Sequence, residues 1–88
     1  MNKVILIGRL CADPELGYTQ SEKAVCKLRL AVDGPYKEPD GKPATEFINI
    51  TAWGKTAENC ANYLAKGRKV AVDGAYHTNV YEAKDIIS

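Results

Sequence analysis

The sequence of 88 residues lacks most of what announces a specialised chemistry. No apolar run approaches the ~20 residues of a membrane-spanning helix. The opening Met1-Asn2-Lys3 before Val4-Ile5-Leu6-Ile7 is too short for a signal peptide and has no small-residue cleavage site. A soluble, cytoplasmic protein with no membrane partner is the expectation. His77 is the single histidine. The three cysteines, Cys11, Cys26 and Cys60, are an odd set with no closely spaced pair, which argues against a disulfide framework. With His77 they offer potential zinc ligands, but their separations match no compact metal motif. Reduced, buried thiols are expected, with no metal and no cofactor. No nucleophile has an evident base beside it, the acidic residues are dispersed, and Gly67-Arg68-Lys69 only follows a helix rather than cradling a phosphate. The chain does not read as an enzyme. Excess charge is missing too: 12 Lys and Arg against 11 Asp and Glu leave a net +1. An anionic partner would have to be met by a local cluster of cations, not by the total.

What is present is pattern. Thr45 to Lys55 alternates as a strand with one buried face. Ile48, Ile50 and Ala52 point one way and read as core. Phe47, Asn49, Thr51 and Trp53 point the other way. That second face is polar in its middle and carries a large ring at each end, roughly 20 Å apart at about 3.3 Å per residue. The rings read either as a platform for flat ligands or as cover for a core edge or a subunit contact.

Around this strand the chain takes a simple order. Lys3 to Leu10 is a strand with apolar residues on both faces, one suited to the core and the other to a subunit contact. Gly8 within it marks a bend or a close backbone approach. Cys11 to Lys23 reads as irregular, with a turn at Asp13-Pro14. Ala24 to Val32 is a second strand. Cys26, Leu28, Leu30 and Val32 form its inner face, and Lys27 and Arg29 stand on its outer face. Asp33 to Ala44 is a loop or long hairpin tip, signalled by Asp40-Gly41, so the strands on either side are expected to be antiparallel neighbours. Lys27 and Arg29 then share a face with Phe47 and Trp53, and Tyr36 and Lys37 extend it. Thr56 to Lys66 is the one helix candidate: Ala57, Cys60, Ala61 and Leu64 form its apolar stripe. Glu58 falls in its first turn, Lys66 in its last, and Gly67 ends it. Arg68 to Thr78 is a fourth strand with a bend or bulge at Gly74. Tyr81 to Asp85 reads as a polar hairpin arm and Ile86-Ile87 as strand.

Three strands, a helix and two strands are the order of an all-β, five-stranded Greek-key barrel with one helix between the third and fourth strands, the OB-fold. Such barrels bind oligonucleotides or oligosaccharides on strands two and three and the adjoining loops. Tyr36, Phe47, Trp53 and Tyr81 offer rings, each worth about 1–3 kcal/mol per stacked base. Lys27, Arg29, Lys37 and Lys55 lie near enough to meet phosphates, and four such contacts imply a salt slope of roughly −3 on a single strand. Stacking is blind to base identity, and a duplex hides its base faces. Neither feature separates DNA from RNA.

The wording of the chain adds a resemblance. Asn2 to Leu10, Asp13-Pro14-Glu15-Leu16 with Tyr18-Thr19, Ala24-Val25 with Leu30-Ala31-Val32, Thr45-Glu46-Phe47-Ile48, Trp53-Gly54-Lys55 with Ala57-Glu58-Asn59, Tyr63-Leu64 with Lys66-Gly67, and Val70 to Gly74 occur in that order. Together they resemble the bacterial single-stranded DNA-binding proteins. The resemblance implies sequence-tolerant binding of single-stranded DNA in replication, recombination and repair at the nucleoid, and a homotetramer built through the first strand, Lys3 to Leu10. It places Tyr36, Phe47 and Trp53 at stacking positions, and Tyr81 too if the chain is read without a gap. Gly17 and Gly34 stand where many members carry a basic residue. Residues 1–88 are read as one such domain with a missing or shortened hairpin between the fourth and fifth strands. The family's flexible linker and acidic tip, which recruits partner enzymes, are absent from this sequence, so no tail-mediated recruitment is expected of it. The alternative is a related primosome-type OB domain that mainly docks partner proteins.

Overall fold

In the computed structural model, which describes residues 1–88, the chain forms β1 (Val4–Leu10), β2 (Glu15–Tyr18), β3 (Ala24–Lys37), β4 (Pro43–Trp53), α1 (Gly54–Tyr63), β5 (Lys69–His77) and β6 (Val80–Ile87). The strands lie in the order β1-β5-β6-β4-β3-β2, and β1 also pairs with β3. That extra pairing closes β1, β5, β6, β4 and β3 into a five-stranded barrel, with β2 attached outside the ring. All neighbours are antiparallel except β4 and β6, which run parallel from Ile50–Tyr81 to Ala52–Ala83.

The inner faces are those the alternation predicts. Cys26 lies opposite Ala52, Leu28 opposite Ile50 and Leu30 opposite Ile48, and Leu30, Ile50 and Cys26 are the largest fully buried side chains. Leu6, Val72 and Ile86 form a second inner row across β1, β5 and β6. Ala57 and Cys60 bring α1 onto this core. Each leucine, isoleucine or valine buried there contributes about 1.5–3 kcal/mol.

Closure needs one close approach. A Cβ on Gly8 would overlap the carbonyl oxygen of Ala31 and reach within 3.1 Å of Val32 Cγ2. The absence of a side chain lets β1 pass onto β3, where Arg9 pairs with Ala31 and Leu10 with Leu30. At the other corner the β5–β6 register shifts between Asp73 and Gly74, a bulge that bends the sheet. The N-terminus is tied in by Asn2: its Nδ2 donates to the Tyr76 carbonyl at 2.7 Å, and the Tyr76 amide donates to its Oδ1 at 2.9 Å. Its side-chain amide thus bonds to β5 as a neighbouring backbone peptide would.

Four expectations change. The stretch from Cys11 to Lys23 contains β2, at four residues too short for alternation to reveal. It forms because the edge of β3 beyond β1 is open, and Glu15 to Tyr18 pair there with Lys27 to Ala24. The Asp33–Ala44 loop is largely strand: a register shift between Asp33 and Lys37 accommodates Gly34-Pro35-Tyr36, and pairing resumes at Lys37–Pro43. The helix starts at Gly54 and stops at Tyr63. Leu64 turns extended (φ −108°, ψ 154°), because the following chain is drawn away: the Lys66 amide donates to Asp13 Oδ1 at 2.8 Å, and the Gly67 amide to the Leu10 carbonyl at 2.8 Å. Lys66 and Gly67 therefore do not cap α1, and its first turn holds no acidic residue. The last strand begins at Val80, so Tyr81 belongs to it. The β5–β6 connection is a two-residue turn with φ of 38° at Thr78 and 68° at Asn79, the left-handed pair of a type I′ hairpin.

Candidate nucleic-acid interface

The outer face of β3 and β4 is fixed by the same register that builds the core. Val25 faces Trp53, Lys27 faces Thr51, Arg29 faces Asn49 and Ala31 faces Phe47. Inward, Leu28 and Ile50 anchor the strands, so these outward residues stand on a rigid floor. Gly54 takes φ +61°, a left-handed value open to glycine at little cost. It turns β4 directly into α1, so Trp53 ends the strand while still on its outer face.

Both rings are accessible: Phe47 is 58% exposed and Trp53 36%. Each is met by a cation. Arg29 Cζ lies 5.1 Å from the centre of the Phe47 ring, and Lys23 Nζ lies 5.1 Å from the centre of the Trp53 ring. Both distances fall within the range of cation–π attraction. A groove of about 430 Å³ is lined by Asp13, Glu15, Lys27 and Arg29 among others, and by Asn49 and Thr51, which lie between the rings along β4. Its floor carries both signs of charge. Across the strands the register makes one row of Glu15, Lys27, Thr51 and Glu82. No salt bridge forms in it; the protein's one ion pair joins Lys3 to Asp73 at 3.6 Å.

The structure therefore brings Phe47, Trp53, Lys27 and Arg29 onto one surface. Lys55 follows directly in the first turn of α1 and is exposed. Tyr36 (78% exposed) and Lys37 stand further out, on the part of β3 that projects beyond the barrel with β4. Tyr81 is placed differently. It is half-buried, packs against the core cluster, and meets Tyr76 edge to face at 5.0 Å and 63°. Tyr76 is itself held at the turn, where the Asn79 amide donates to its hydroxyl at 3.1 Å. Sequence reasoning passed over Lys23, Glu15 and Glu82. For Lys23 a signal existed: the outer-face series 25, 27, 29, 31 continues backwards by one step to 23.

The thiols offer no chemistry here. Burial, with Glu15 second, pushes the Cys26 thiol up. Burial, with Cys26 second, pushes Cys60 to about 11. Both stay protonated and unreactive near neutral pH. Cys11 is only half-buried, which departs from the expectation of three buried thiols.

A second surface is apolar. On the outer face of β1, β5 and β6 the register aligns Ile7, Ala71 and Ile87. Ile5, Ile7 and Ile87 are 65%, 56% and 65% exposed. The inward partners Leu6, Val72 and Ile86 account for the core, so these outward isoleucines are surplus to the single chain. No helix is long and apolar enough to cross a membrane.

Comparison with known proteins places the chain among similar ones. Residues 1–86 match the model of the Single-strand binding protein family. The chain is 47% identical over 85 residues to "Single-stranded DNA-binding protein 3" of Listeria innocua, covering 97% of this chain and 53% of that protein. It is 49% identical over 86 residues to "Single-stranded DNA-binding protein 2" of Clostridium acetobutylicum, covering 97% and 64%. The fold matches the crystal structure of the wild-type single-stranded DNA binding protein from Thermus aquaticus with a TM-score of 0.83 at 25% identity, over 99% of this chain and 49% of that one. The chain thus spans between about half and two-thirds of the length of these relatives.

Proposed function

The chain belongs to the single-strand binding protein family, and on that premise we propose that it binds single-stranded DNA with little regard to sequence. Bases stack on Phe47 and Trp53, Lys27 and Arg29 meet phosphates along the groove, and Lys55, Lys37 and Tyr36 extend the path at either end. Tyr81, half-buried against Tyr76, is the least free of the four rings. The observation that carries this reading is the pair of exposed rings on one face of β4, on either side of the outward Asn49 and Thr51, each already in contact with a cation. Nothing in the barrel's packing needs those rings, and a flat base fits such a surface by its π-face alone. Double-stranded DNA, whose bases are stacked on one another, is expected to bind far more weakly. The reading is non-enzymatic, and its setting is replication, recombination and repair in the cytoplasm.

The reading includes self-association. Ile5, Ile7 and Ile87 form an apolar face on β1 and β6 that a second copy would cover, and a homotetramer is the assembly proposed. The test is a tryptophan-emission titration with poly-dT at two salt concentrations. Trp53 is the only tryptophan, so its quenching reports the groove directly. Quenching that weakens at higher salt supports the proposal, and unchanged emission at saturating poly-dT sinks it. A solution mass of a dimer together with micromolar or weaker binding would favour the partner-docking alternative.

A further inference from the structure

The contact between Lys23 and Trp53 repeats, six residues along, the contact between Arg29 and Phe47. Lys23 lies two residues before Val25, the residue opposite Trp53. Arg29 lies two residues before Ala31, the residue opposite Phe47. Each cation is thus the same diagonal neighbour of its ring, a relation within reach of long side chains across a strand pair. Both reach the same 5.1 Å from the ring centre. One local geometry is used twice, on either side of Asn49 and Thr51.

The position of Lys23 is also built rather than incidental. Its amide donates to Thr19 Oγ1 at 3.1 Å, and its carbonyl accepts from the Thr19 amide at 3.0 Å. The Glu22 amide donates back to the Thr19 carbonyl at 2.8 Å, and Glu22 takes φ 64° to close the turn. The next residue, Ala24, is buried. The turn between β2 and β3 therefore holds the Lys23 backbone from both sides and aims its side chain over Trp53. The ammonium makes no salt bridge, so its charge is not cancelled by a carboxylate.

We propose that Lys23 is a positioning and phosphate-contacting residue of the single-strand site. Its ammonium holds one face of the Trp53 ring, leaves the other for a base, and meets a phosphate of the strand beside that base. This inference rests on the proposed binding of single strands at Trp53. It adds a cation where β3 begins, so that each stacking ring has its own positive charge.

The test compares wild type, Lys23→Met and Lys23→Arg by oligo-dT binding across a range of salt concentrations. Lys23 is exposed, and methionine keeps an apolar stem of similar length, so melting temperature is expected to hold. Lys23→Met should bind about 2- to 10-fold more weakly at low salt. Its slope of log affinity against log salt should be shallower by about 0.7, the loss of one phosphate contact. Lys23→Arg should keep both. In the free protein, Trp53 emission should change in Lys23→Met and not in Lys23→Arg. A Lys23→Met protein with wild-type affinity and slope overturns the proposal while leaving single-strand binding intact. So does a weaker variant whose slope is unchanged, since that is a structural effect. Failure of the wild type to bind oligo-dT overturns the binding reading itself, and this inference with it.

Discussion

Phe47 and Trp53 stand on one face of β4, six residues apart, and each ring centre lies 5.1 Å from a cation: Arg29 of β3 for Phe47, and Lys23 in the turn before β3 for Trp53. The relation predicts that the two rings dominate affinity for a single strand. With about 1–3 kcal/mol per stacked base, Phe47→Ala plus Trp53→Ala is expected to weaken binding of a fluorescent oligo-dT at least about thirtyfold. Anisotropy titration measures it, and a change within twofold would remove the stacking role. The core is untouched by either change, so the melting temperature should stay near that of the parent.

The exposed isoleucines of β1 predict the assembly. Ile5→Asp plus Ile7→Asp places charge on the apolar face without touching Leu6 or Leu10, which face the core. The expected outcome by light scattering is a smaller species than the parent, still folded by circular dichroism. An unchanged mass would move the subunit contact elsewhere.

Gly8 predicts a stability cost set by backbone alone. Gly8→Ala puts a methyl group where the Ala31 carbonyl already is, and the clash must be relieved by moving β1 off β3. A loss of about 1–3 kcal/mol is expected in urea unfolding, with Gly17→Ala as the control. A Cβ at Gly17 has nothing within 4 Å.

The buried thiols predict an alkaline limit. Cys60 is raised from 9.0 to about 11 by burial and by Cys26, so the folded state holds its proton where the unfolded chain releases it. The associated stability is complete below about pH 9. It is lost as pH rises through about 11. Cys60→Ala should flatten that part of a stability–pH curve after allowance for its own packing cost. Below pH 8, Cys11 should be the first thiol to react with a small alkylating reagent, and Cys26 and Cys60 should react only on unfolding.

Much of this was legible because alternation has a period of two. Once Ile48, Ile50 and Ala52 are assigned inward, Phe47 and Trp53 are outward by geometry, and the same step carries Lys27 and Arg29 with them. What escaped had a tertiary cause. β2 exists because β3 offers an open edge, which no property of Glu15 to Tyr18 announces. The helix stops at Tyr63, short of Lys66, because Asp13, distant in sequence, takes the Lys66 amide. By sequence Tyr81 reads as part of a free arm, but the two-residue turn at Thr78-Asn79 folds it back against Tyr76 and the core. Lys23 escapes alternation for a simpler reason: β3 begins at Ala24, and it is the turn before the strand that sets Lys23 beside Trp53.

β2 is hydrogen-bonded along one edge only, while every strand of the ring has neighbours on both sides. It can therefore come away from β3 by breaking the short ladder from Glu15–Lys27 to Tyr18–Ala24, without opening the barrel. In hydrogen exchange its amides should lose protection well before those of β4. The wall of the groove that carries Glu15 thus hangs on a single ladder, while the wall that carries Asn49 and Thr51 belongs to the closed ring.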